Sequence, residues 1–98
     1  MPLRTDPEQH EVRALKTLTD WHGKRVLEIG CGDGRLTRRL ARLGAMVHAS
    51  DPKAKLIRTA RRNLPQRFAK RIRYVVGQAE RLDHPNESFD IVVFAWAL

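Results

Sequence analysis

In 98 residues the chain carries one cysteine, Cys31. A lone thiol closes no internal disulfide, and with no second thiol or neighbouring histidine it supplies no metal-ligand set. Nothing staples the fold, so a packed core must hold it. No apolar run approaches the roughly 20 residues that a membrane span requires. The N-terminal stretch Met1 to Asp20 contains acids and lacks an apolar h-region, so it does not read as a secretory signal. Internal repeats, low-complexity tracts and linkers are absent, and the length allows one domain at most. These features lead us to expect a soluble, cytoplasmic, single-domain protein. Aromatic residues are few, at 6%, and none alternates with basic residues to form a stacking platform for bases. Acids are the minority charge, 11 against 19 Lys and Arg, for a net charge of +8. That excess favours approach to polyanions such as RNA. The basic residues are nevertheless spread over helical faces (Arg38, Arg39, Arg42; Arg58, Arg61, Arg62), so a solvated helix surface and a nucleic-acid footprint both remain open.

What is present is an alternation of strand and helix patterns. Thr5-Asp6-Pro7-Glu8 has the capping residues and early proline of a helix start. The leading segment 1–22 is therefore predicted to hold a helix running to about Asp20, with Val12, Leu15 and Leu18 as a narrow apolar stripe. Lys24 to Ile29 reads as a strand covered on both faces. Gly34 to Leu43 places Leu36, Leu40 and Leu43 on one helical face, with Gly44 at a left-handed helix end. Met46 to Ser50 is a second strand, and Asp51-Pro52 opens a helix with Ile57, Ala60 and Leu64 on one face before Pro65. Ile72 to Val76 is a third strand. After the turn-rich loop His84-Pro85-Asn86-Glu87-Ser88, the run Phe89 to Leu98 is the most hydrophobic of the chain and is expected to be a buried fourth strand. Such alternation predicts an α/β, Rossmann-like three-layer sandwich with four parallel strands, ordered 3-2-1-4.

The chemistry is carried by Val26-Leu27-Glu28-Ile29-Gly30-Cys31-Gly32-Asp33-Gly34, between a predicted strand and a predicted helix. Gly30 and Gly32 permit a tight turn and let a ligand approach the backbone. A dinucleotide site uses the same turn with a ribose-binding acid about 20 residues later. Its third glycine, however, would fall at Arg35, whereas here it falls at Gly34. Glu28 before the turn also sits badly with a pyrophosphate and suits a ligand bearing ammonium and sulfonium charges, which favours S-adenosylmethionine. Asp51 stands 19 positions after Gly32, at the end of the second strand, where a carboxylate can accept from both ribose hydroxyls. Its alternative reading is a helix cap ahead of Pro52. Cys31 contributes backbone to the turn.

The segment V-L-E-I-G-C-G-D-G-R-L-T resembles motif I of class I S-adenosylmethionine-dependent methyltransferases, and Asp51 matches their ribose-binding acid. Gly77-Gln78-Ala79-Glu80-Arg81-Leu82 followed by Ser88-Phe89-Asp90-Ile91-Val92-Val93 is similar to the G-D-A-E-x-L … S-F-D-x-V-V pattern of the ubiquinone/menaquinone-biosynthesis-like branch. The resemblance covers residue 24 to the end. It implies that the backbone at Gly30 and Gly32 contacts the methionine part of the cofactor, that Glu28 supports the turn, and that Pro52 and Ala79 flank the adenine. It also brings Ala95, late in the fourth strand, to the cofactor site. Gln78 departs from the family's usual Asp, which accepts from the adenine amino group; its side-chain carbonyl can still accept one bond, and Glu80 is placed to compensate. The family's sheet has seven strands, so the resemblance makes this chain the N-terminal, cofactor-binding part of the domain. The fourth strand would then be an open edge inviting self-association. Residues that align the acceptor follow that strand in the family, so none here is assigned a catalytic role. His10, His22, His48 and His84 show no functional spacing. The resemblance implies methyl transfer to a small-molecule or RNA acceptor. A binding module without turnover and a dinucleotide-binding Rossmann domain are the alternatives.

Overall fold

A computed structural model describes residues 18–77 and 89–95. The predicted leading helix therefore falls almost wholly outside the described residues. Strands β1 (Arg25–Ile29), β2 (Met46–Asp51), β3 (Ile72–Val76) and β4 (Ile91–Phe94) alternate with helices α1 (Arg35–Arg42) and α2 (Ala54–Arg62), and a 3-10 turn at Gln66–Phe68 precedes β3. The strands form one parallel sheet in the order β3-β2-β1-β4, as the alternation of patterns predicts.

Strand register separates the two sheet faces. Val26 pairs with Val47 and Ile91, Val47 with Ile72, and Ala49 with Tyr74. Paired residues in a parallel sheet point to the same side. The β1–β3 side chains among these are buried in one core cluster with Leu36, Leu40 and Ala41 of α1 and Ile57 and Ala60 of α2. Both helices thus cover that face. Leu40, Ile57 and Val26 are wholly buried, each contributing about 1.5–3 kcal/mol by leaving water.

Helix α1 stops where its sequence says it should. Gly44 has φ of 100°; its N–H donates to the Ala41 carbonyl and that of Ala45 to the Leu40 carbonyl, the paired closure of a Schellman end. Helix α2 ends at Arg62, yet Leu64 beyond it still packs on the core.

The fourth strand departs from its expectation. It spans Ile91–Phe94 rather than Phe89 to Leu98, and residues 96–98 lie outside the described residues. Nor is it buried: Val92 is 49% and Phe94 48% exposed, while Ile91 and Val93 pack against the core. The alternation follows from the strand period of two, which turns Ile91 and Val93 toward the helix-covered face and Val92 and Phe94 to the other.

Candidate functional site: the glycine turn and the Asp51 carboxylate

The ends of β1 and β2 are bound together by backbone. The N–H groups of Gly30 and Cys31 both donate to the Ser50 carbonyl, at 2.8 and 2.9 Å, and Gly34 N–H closes on the Cys31 carbonyl at 3.1 Å. Gly30, Gly32 and Gly34 have φ of 82°, 60° and 92°, so the turn is left-handed at three alternate residues. A Cβ at Gly32 would meet nothing within 4 Å, and that position faces open space above the sheet. Gly34 is confined from below, because a Cβ there would collide with the Tyr74 hydroxyl and lie 2.9 Å from its Cζ.

Asp51 closes the turn from the neighbouring strand. Its Oδ2 accepts from the Gly32 N–H and its Oδ1 from the Lys53 N–H, both at 2.9 Å. One carboxylate therefore holds the glycine turn and the bend that leads into α2; it does not cap the helix, whose N-cap is Lys53 with no side-chain cap bond. A carboxylate offers about four lone-pair positions, and the two N–H donors leave room for two hydroxyls. Asp51 as a whole is 8% exposed.

Glu28 lies beneath. It is fully buried, and its Oε1 accepts from the Thr37 hydroxyl while Oε2 has no hydrogen-bond partner among the described residues. Burial pushes its carboxyl up to about 7, against the stabilising pull of Thr37. Burial, with the charges of Glu28 and Asp51 adding to it, pushes the Cys31 thiol up to about 12. The thiol stays protonated at neutral pH and is unreactive. Burial also raises the Tyr74 phenol to about 12, opposed by the Arg38 charge. The arrangement is an orphaned carboxylate oxygen below the turn, an acceptor-rich Asp51 beside it, and open space above, an environment for a ligand with positive charge and vicinal hydroxyls.

Of the residues expected at the site, Glu28, Gly30, Cys31, Gly32 and Asp51 are brought together, with Pro52 exposed beside Asp51. Gln78, Ala79 and Glu80 fall outside the described residues, but the Gly77 N–H donates to the Asp51 carbonyl at 3.0 Å, so the chain leaves β3 next to Asp51. Ala95 follows Phe94, the register partner of Ile29, and is half-buried. Thr37, Tyr74 and Ser50 were missed. Thr37 gave a faint signal, as a hydroxyl residue beside Leu36 on the inward side of α1; the other two are legible only from strand pairing. Among the described residues no helix is long and apolar enough to cross a membrane, and no group of His, Cys, Asp and Glu is arranged to hold a metal.

The family model described as a methyltransferase domain matches residues 26–98, most of the chain. The chain belongs to the methyltransferase domain family. It is 37% identical over 94 residues to a mitochondrial ubiquinone biosynthesis O-methyltransferase of Mus musculus, covering 93% of this chain and 24% of that protein. It is 38% identical over 84 residues to the ubiquinone biosynthesis O-methyltransferase of Azorhizobium caulinodans, covering 86% and 32%. The family member thus spans about a quarter to a third of these relatives. Its fold resembles an S-adenosylmethionine-dependent methyltransferase from Mesorhizobium loti, with TM-score 0.71, 30% identity, and 92% and 39% of the two chains covered. It also resembles magnesium protoporphyrin IX methyltransferase from Synechocystis, crystallised with S-adenosylmethionine, with TM-score 0.71, 25% identity, and 88% and 41% covered. The resemblance drawn from the glycine turn, to class I S-adenosylmethionine-dependent methyltransferases, is borne out.

Proposed function

We propose that the chain is the cofactor-binding part of an S-adenosylmethionine-dependent methyltransferase, with a hydroxyl oxygen on a small molecule as the acceptor. The observation carrying this reading is the Gly30–Gly34 turn clamped by Asp51, with lone pairs of Asp51 to spare and open space above Gly32. Asp51 takes the two ribose hydroxyls, and the backbone at Gly30, Cys31 and Gly32 faces the methionine part. Glu28 supplies negative charge beneath it. Pro52 and Ala79 flank the adenine, Gln78 and Glu80 meet its polar edge, and Ala95 borders the pocket from β4. The cofactor supplies a methyl group on a sulfonium that leaves as a neutral thioether, so the protein's task is alignment. An oxygen acceptor is supported by the 37% and 38% identity to ubiquinone O-methyltransferases. A cytoplasmic location belongs to the same reading and rests on composition alone. Self-association through β4 is also part of this reading, supported by the exposure of Val92 and Phe94.

Isothermal titration with S-adenosylmethionine, S-adenosylhomocysteine and NAD tests the cofactor assignment. Binding of either sulfur nucleotide in preference to NAD is expected; tighter binding of NAD would overturn it.

A further inference from the structure

A second concavity lies at the opposite end of the sheet. It is a cleft of about 500 Å³ whose lining includes Arg25, His48, Lys70, Arg71, Arg73 and Phe89. Arg25, His48 and Arg73 belong to the starts of β1, β2 and β3, whereas the glycine turn and Asp51 lie at strand ends. Between three residues of strand (His48 to Asp51) and five (Arg25 to Gly30) separate the two sites, roughly 10–16 Å at the usual rise, so the cleft is distinct from the cofactor site.

Its charge is one-sided. No acidic side chain lines it among the described residues. Asp90 nearby is engaged with Arg25, through a backbone N–H bond of 2.8 Å and an ion pair of 3.4 Å. Lys70, Arg71 and Arg73 are exposed, and Arg71 donates to the Ala41 carbonyl at 3.4 Å. His48 and Arg73 are register partners on neighbouring strands and share a sheet face. The Phe89 ring meets His48 edge to face, with centroids 5.8 Å apart. Basic residues and an aromatic ring that are scattered in the sequence thus converge in one cleft.

We propose that this cleft is a binding surface for single-stranded RNA, with Lys70, Arg71 and Arg73 on successive phosphates and Phe89 under a base. Cationic grooves with an aromatic platform hold single strands through phosphate charge and base stacking. The surface goes beyond the methyl-transfer reading and does not depend on it. The net charge of +8 adds long-range attraction.

The test is fluorescence anisotropy of a labelled RNA single strand, roughly 20 nucleotides long, against the full chain, across a salt series and with heparin as a base-free polyanion. Lys70→Glu combined with Arg73→Glu should weaken RNA binding at least about tenfold and flatten the salt slope by about 0.7 per lost phosphate contact. The same reversal at Arg58 and Arg62, exposed on α2, should change affinity less than about threefold. Phe89→Ala should weaken RNA binding roughly fivefold or more and leave heparin binding unchanged. Equal losses from the two charge reversals would reduce the effect to net charge and overturn the cleft assignment. So would a loss of heparin binding in Phe89→Ala as large as its loss of RNA binding, or no RNA binding at about 50 mM salt, where phosphate contacts are strong.

Discussion

Replacing Glu28 with Gln isolates the cost of keeping a carboxylate under the glycine turn. In the folded chain the Glu28 carboxyl is raised by burial from 4.5 to about 7, with only the Thr37 hydroxyl to offset it. The folded state therefore holds this proton more tightly than the unfolded chain does. Between pH 4.5 and about 7 the folded state binds more protons, so stability falls as pH rises through that window and stays low above it. At about 1.36 kcal/mol per pH unit, the window amounts to roughly 3 kcal/mol. The carboxylate is wholly buried, so solvent screening does not discount this figure appreciably. Glu28→Gln keeps the shape and an acceptor for Thr37 but cannot ionise. Urea denaturation of both proteins in small steps from about pH 4 to 8 should show the variant gaining on the wild type by about 3 kcal/mol across the window. Equal stability differences at the two ends of that range would refute the reasoning, because the Glu28 carboxyl would then bind protons equally in the folded and unfolded chains. A cationic ligand over the turn lowers the Glu28 value, so S-adenosylmethionine should release a proton on binding near pH 7. Titrations in buffers of different ionisation enthalpy would detect this release.

Asp51→Ala should weaken S-adenosylmethionine binding roughly ten- to a hundredfold, about 1.5–3 kcal/mol, measured by calorimetry. It should also lower stability by about 1–3 kcal/mol, because both oxygens hold backbone N–H groups; unchanged stability would mean those bonds are replaced by water at no cost. Gly34→Ala, at φ 92° and against Tyr74, should destabilise by about 2–4 kcal/mol. Tyr74→Phe should recover part of that loss in a double-mutant cycle; strict additivity would show that the contact is unimportant. Light scattering of the isolated chain should show dimers or larger species, and Phe94→Glu or Val92→Lys should shift them toward monomer. A monomer at high concentration in the wild type would rule out association through β4.

Local chemistry settled much of this protein in advance. Helix and strand periods, the glycine after β1 and the glycine closing α1 are short-range properties, each set by a few neighbouring φ/ψ preferences, and they yielded the element order and the parallel sheet. The 19-residue interval between Gly32 and Asp51 was legible because one strand–helix–strand unit has a nearly constant length. Tertiary structure decided what depends on register and on which face an element presents. Parallel pairing placed the Asp51 carboxylate within hydrogen-bonding distance of the Gly32 N–H, so that it holds the glycine turn and the bend before α2 at once. The fourth strand read as buried from its apolar run, but the period of two faces Val92 and Phe94 away from the helices, and strand pairing ends at Phe94. Thr37 and Tyr74 reached Glu28 and Gly34, and His48, Arg73 and Phe89 reached one cleft, across separations that no local pattern encodes, because the crossovers of the sheet determine which distant residues become neighbours.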